Sequence, residues 1–143
     1  MRVLLTTIIA AALAAACSTA PGVIHGRTVD LHREASASGE SLDAFVVRIA
    51  PQALAASKNA RATVCGQIEE NDGNFTVQLK TDGYVSDCGL PKTDRPYLLV
   101  NGTATDAREN HFSLANRDRS GYLVTPWAVK FQDQSGIRKV SSF

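Results

Sequence analysis

Net charge is almost absent from this chain: 15 Lys and Arg stand against 14 Asp and Glu. Setting aside Arg2 leaves 14 residues of each sign. A surface so balanced gives no electrostatic case for nucleic acid or anionic lipid as the main partner. Histidine is scarce too. His25 and His32 lie early, and His111 alone lies in the later, globular part. Three cysteines occur with no C-x-x-C among them, so neither a dithiol redox motif nor a structural zinc cluster is indicated. No internal repeat is visible, and no apolar run reaches the roughly 20 residues a spanning helix needs. What remains is ordinary for a globular chain, with 44% hydrophobic and 20% charged residues. In 143 residues that is room for one domain with a single core.

The N-terminus reads as a targeting segment. Met1-Arg2 precedes V-L-L-T-T-I-I-A-A-A-L-A-A-A and Cys17, the pattern of one charge, a short apolar run and small residues. The end L-A-A-A-C is similar to a bacterial lipobox, in which the cysteine becomes the lipidated first residue. It departs from that pattern in having Ala14, not leucine, three places before Cys17. The competing reading is plain cleavage after A-x-A, with Cys17 left as a thiol. Several acyl chains, such as palmitate, anchor stably because each buried CH₂ contributes about 0.8 kcal/mol. Ser18 carries no acidic retention signal, which favours the outer membrane, facing the periplasm. The expected division is a signal peptide over 1–16, a lipidated end and flexible tether over 17–40, and a globular domain over 41–143. Pro21, Gly22, Gly26 and A-S-A-S-G-E give the tether its character, and His25 and His32 are expected to be solvent-exposed within it.

Within the domain, Ser41 is placed to cap a helix whose Leu42, Phe45, Val46 and Ile49 follow helical spacing. Pro51 predicts a kink or a second helix start. F-V-V-x-I also suits a strand, the weaker alternative. Residues 61–69 and 74–80 read as two strands, with Phe75, Val77 and Leu79 in strand alternation. E-N-D-G between them is hairpin chemistry, with Gly73 able to take positive φ. Y-L-L-V at 97–100 predicts an inner strand. Strands at 122–125, 127–131 and 137–140 follow, with a bend at Pro126 and a turn over 132–136. The class is α+β: a mixed or antiparallel sheet, an N-terminal helix and a short second helix. In an exported protein Cys65 and Cys88 predict a disulfide.

The order of these elements and the segment 102–126 resemble the JAB/MPN (JAMM) family over about 41–140. The residues carrying the likeness are V-C-G-Q-I, V-N-G-T-A-T-D, F-S-L-A-N and G-Y-L-V-T-P. In that family a Glu lies near a Cys-Gly, a later strand ends in His-x-His-Pro, and Ser-x-x-Asp follows seven residues on. The resemblance implies a zinc site held by the two His and the Asp, the Glu acting as base and the Ser supporting the oxyanion. Here Thr103 and Thr105 occupy the histidine places, Asp106 the proline and Asn116 the aspartate. Thr63 is the nearest match for the Glu. Ser113 alone keeps its type, with seven residues between it and Thr105. Threonine and asparagine are poor zinc ligands, so no metal, cofactor or catalytic residue is expected at these vacated positions. A relocated site using His111, Asp106, Glu109 or Asp118 is the lesser alternative, as against a solvated loop. Phe112, Leu114, Tyr122 and Leu123 read as core, and Trp127 as either core or an exposed anchor.

Three functions compete. The favoured one is a non-catalytic, lipid-anchored pseudoenzyme whose JAMM-like cleft binds an envelope protein or peptide. The second is a metallopeptidase with displaced ligands. The third is an unrelated small inhibitor or immunity lipoprotein.

Overall fold

The computed structural model describes residues 26–85, 88–106, 111–112 and 116–143. Seven strands and one helix appear among them, in the order β1 (Val29–Ala35), α1 (Leu42–Ala60), β2 (Val64–Asn71), β3 (Asn74–Thr81), β4 (Tyr97–Val100), β5 (Gly121–Val124), β6 (Ala128–Asp133) and β7 (Gly136–Ser142). The strands form one sheet in the order β1-β3-β2-β4-β5-β6-β7. Every pairing is antiparallel except β4 with β5, so the sheet is mixed and the class is α+β. No described helix is long and apolar enough to cross a membrane.

The helix begins where its sequence says it should. Ser41 is extended, and its hydroxyl accepts from the Ala44 N–H, satisfying one of the donors that a first turn leaves orphaned. Pro51 lies inside a single helix and does not start a second one. At the other end Arg61 adopts φ 51, its N–H donating to Lys58 O while the Ala62 N–H donates to Ser57 O. That pair of bonds is a Schellman closure, and it takes up residues 61–63, which is why β2 starts at Val64 and not at 61. The hairpin between β2 and β3 closes on Asp72 (φ 50) and Gly73 (φ 74). Two successive positive φ values make a type I′ turn, whose twist matches the paired strands.

The helix buries Phe45, Val46, Ile49 and Ala53 against one face of the sheet, on Val64, Ile68, Leu79, Leu98, Tyr122 and Val124. Its N-terminus is pinned at the far side. Tyr122 donates its hydroxyl proton to Asp43 at 2.7 Å, and Arg138 on β7 grips the same carboxylate with two nitrogens at 2.8 and 2.9 Å. The second face carries a smaller cluster of Cys65, Cys88, Tyr97, Leu99, Phe112 and Leu123. β4 and β5 are therefore buried on both faces throughout, as the uninterrupted Y-L-L-V requires.

Three expectations are corrected. β1 falls within the 17–40 stretch read as tether, so the domain takes in residues from Gly26 onward. As an edge strand with a register shift between Asp30 and Arg33, it has no fully buried residue and needs few apolar ones. His32 is thus in a strand, half-buried, with Nε2 3.3 Å from Glu34 Oε1. Gln132 is a buried residue of β6 and does not open the turn, which falls at Gln134 and Ser135. Trp127 is half-buried. Cys17, His25, Glu109, Ser113 and Leu114 lie outside the described residues, as does most of the stretch expected to form a short second helix.

The Asp43 cluster gives a pH prediction. The Arg138 guanidinium holds the Asp43 carboxyl below its ordinary value of 3.8, with the Tyr122 hydroxyl adding to that effect. Glu40, bonded to Arg48 and the Ala37 N–H, is lowered from 4.5 to about 2. Both contributions are complete above the unfolded values and are lost as pH falls through the folded ones. Urea midpoints should therefore hold steady above about pH 5 and decline from about pH 4 towards pH 2. Asp43→Asn should lower the plateau and flatten that decline; an unchanged slope would rule out Asp43 as its source.

Candidate functional site

Of the residues expected to occupy a vacated metal site, Thr63, Thr103 and Asn116 are each held by a structural bond. Thr63 is buried, and its hydroxyl donates to Val85 O at 2.7 Å while its N–H donates to Tyr84 O at 2.8 Å. Both bonds fasten the loop after β3. Gly102 opens the supposed ligand segment for a packing reason: a Cβ there would stand 2.6 Å from Leu54 O in the second half of the helix. Its N–H donates to the Ser57 hydroxyl at 2.9 Å, and that buried hydroxyl donates in turn to Ala62 O at 2.6 Å. Thr103 donates to Asn101 Oδ1 at 3.1 Å, and Thr105 is exposed.

Asn116 is buried at the return of the same crossover. The Gln132 carboxamide nitrogen lies within hydrogen-bonding range of the Asn116 carbonyl, of the Tyr97 hydroxyl (2.7 Å) and of Arg119 O (2.7 Å). Tyr97 donates to the Asn116 carbonyl at 3.3 Å, and the Arg119 guanidinium lies 5.1 Å from the Tyr97 ring centre. The Asn116 side-chain oxygen accepts from Arg119 at 3.3 Å.

By register, Thr63 and Thr103 lie at one end of the β2–β4 pair, just beyond the Val64–Val100 partners. The Asn116 backbone is held over Tyr97, at the other end of β4. His111 and Asp118 are exposed and Asp106 is half-buried. Among the described residues no group of three or more His, Cys, Asp or Glu is placed to hold a metal.

A different feature offers room for a ligand. On the sheet face away from the helix, over β1, β3 and β2, lies a trough of about 690 Å³. Its floor is the polar phase of the strands: Arg33, Thr76, Gln78, Lys80, Gln67 and Glu69. The wall is the 82–91 loop. Cys65 and Cys88 form the expected disulfide beneath it, closing 23 residues, a bridge that contributes on the order of 3 kcal/mol. Asp82 shapes the same loop, accepting from the Tyr84 N–H at 3.1 Å and the Gly89 N–H at 3.4 Å. At its far end Gln67 donates to Pro91 O (3.0 Å) and to the Thr93 hydroxyl (2.7 Å). These residues do not stand out in the sequence, because T-V-Q-L-K shows only the polar phase of a half-buried strand. What could have found them is the richness of that phase in carboxamides and long cations, once β1 is seen beside it.

No family model, no curated protein and no solved structure matches this chain.

The clamp around Gln132 can be checked directly. Gln132→Leu takes the donor from the Tyr97 hydroxyl oxygen and the Arg119 carbonyl and leaves the Asn116 carbonyl only its bond from Tyr97, and should cost about 2–3 kcal/mol in urea unfolding. Amide exchange at residues 116–119 should accelerate more than at β2. Uniform acceleration across the sheet would show that Gln132 contributes only to global stability.

Proposed function

We propose that this domain is a non-catalytic binding module, carried on a lipid anchor at Cys17 in the bacterial envelope, that takes a protein or peptide segment into the trough beside β1. The reading keeps the JAB/MPN-like frame, on the order of its elements and the spacing of its motifs, and puts the working surface elsewhere. The observation that carries it is the trough itself. A floor of carboxamides, hydroxyls and cations, walled by a loop fixed through a disulfide and Thr63, is a pre-formed polar surface. Pre-organisation of that kind lowers the ordering cost of binding. Carboxamides suit a peptide because each offers one donor and one acceptor, as a peptide group does. The Thr63, Thr103 and Asn116 side chains, by contrast, are engaged in holding loops.

Two measurements test this. A benzophenone amino acid placed at Thr76 of the full chain in cells should crosslink to an envelope protein, while the same group at Lys58, on the exposed side of the helix, should not. Equal crosslinking at both positions, or none at either, would overturn the trough as the site. Purified protein should hold well under one equivalent of zinc. Stoichiometric zinc in the wild type would overturn the non-catalytic reading in favour of a metallopeptidase. Labelled palmitate should enter the wild type and not Cys17→Ala.

A further inference from the structure

Resting on the trough as the binding site, we infer that its ligand is a peptide segment bearing a carboxylate, seated with that carboxylate on Arg33 and with its chain crossing β3 and β2 towards Leu90 and Pro91.

The argument begins with which charges in the trough are already satisfied. Of the acidic groups, Asp82 accepts two backbone N–H bonds, and Glu69 is paired with Arg95 at 2.9 Å. The cations are less engaged. Arg33 makes one long bond, from one nitrogen to the Thr76 hydroxyl at 3.4 Å, and is exposed. Among the described residues Lys80 is ion-paired with Asp30 alone, at 3.7 Å, itself exposed. A guanidinium carries five N–H donors in a fork that matches a carboxylate, so the floor has donors in excess and favours an anion.

Register then gives the ligand its direction. Arg33 pairs with Gln78, and the partners Cys65–Lys80 and Ile68–Val77 place Gln67 beside Gln78. Arg33, Gln78 and Gln67 therefore form one row across three strands, spanning about 10 Å at about 4.8 Å per strand. The Gln78 nitrogen donates to His32 O and Leu79 O, and the Gln67 nitrogen to Pro91 O and Thr93. Each carboxamide thus has its nitrogen engaged, and its oxygen has no partner among the described residues. Two acceptors in line with a cationic fork fit N–H groups followed by a carboxylate. Three extended residues cover about 10 Å, the length of the row. Beyond Gln67 the floor turns apolar at Leu90 and Pro91, which suits an aliphatic side chain at the opposite end.

The probe is N-acetyl-Leu-Ala-Ala, compared with its C-terminal amide, titrated into the full-length chain in detergent micelles and followed by nitrogen–proton correlation spectra. The free acid should shift the Gln67 and Gln78 side-chain amides and the Arg33 Nε–H, and should bind at least about tenfold more tightly than the amide. Arg33→Gln, an exposed change that leaves the fold intact by circular dichroism, should remove that preference. Lys80→Gln should weaken the acid by a smaller factor, and added salt should weaken the acid more than the amide. Acid and amide binding equally in the trough would overturn the carboxylate inference and leave the peptide-binding reading standing. Binding of a glucuronic acid disaccharide there without peptide binding would replace the peptide with an anionic sugar. No shift at Gln67 or Gln78 with any probe would overturn both.

Discussion

The close contact between Tyr97 and Gly121 governs how this sheet can be covered on its second face. The two residues are partners across the parallel β4–β5 pair. A Cβ on Gly121 would stand 2.4 Å from the Tyr97 ring, so the ring lies over a strand that presents no side chain. That lets the hydroxyl extend across β5 to Gln132, the next partner in the same row. Gln132 and Tyr97 together hold the Asn116 carbonyl and so tie down the return of the crossover. A parallel pair needs a long connection, here from Asn101 to Ser120, and such a connection brings backbone polar groups onto an apolar face. The buried amide and phenol supply the donors that make this tolerable. Any larger residue at 121 displaces the ring first and the clamp with it.

The same row also links the structural half of the sheet to the proposed binding half. Reading across the strands it runs Arg33, Gln78, Gln67, Tyr97, Gly121, Gln132. To one side of Gln67 the crossover covers it and the side chains satisfy each other. To the other side, among the described residues, only the rim of the 82–91 loop stands beside it, and the Arg33, Gln78 and Gln67 side chains retain donors and acceptors without a described partner. Thr63 and the disulfide fix where that rim stands, because both hold the loop to β2. Thr63 and the Cys65–Cys88 bridge thus define the boundary between the closed and open parts of one sheet face.

Much of the architecture was legible because local rules carried it. Ser41, Asp72-Gly73, the alternation of Phe75, Val77 and Leu79, and the all-apolar Y-L-L-V each state a cap, a turn or a strand within a few residues. Cys65 and Cys88 similarly pointed to their bridge. What could not be read depended on partners distant in sequence. β1 looks like linker because an edge strand with one half-covered face needs little hydrophobicity, and its partner β3 lies some 40 residues on. Gln132 looks like turn chemistry until Tyr97 is placed beneath it. The segment 102–126 was legible as a frame but not in its purpose: Gly102 reports a helix 2.6 Å away, and Asn116 contributes most through its backbone carbonyl, which no residue type reveals.

Moving β1 out of the tether also changes what an anchor would do. With a flexible linker over 17–40, the domain could sample a wide volume and its binding face could point anywhere. The described chain instead enters at Gly26, whose N–H donates to Asp82 O and which itself lines the trough. On the anchored reading only residues 18–25 separate the lipid from that rim, and eight residues reach at most about 29 Å. On that proposed reading, a trough tethered at its own edge by so short a segment would meet ligands near the membrane surface, with the β1 edge and the carboxamide row presented together, and would favour segments extending from membrane-associated partners.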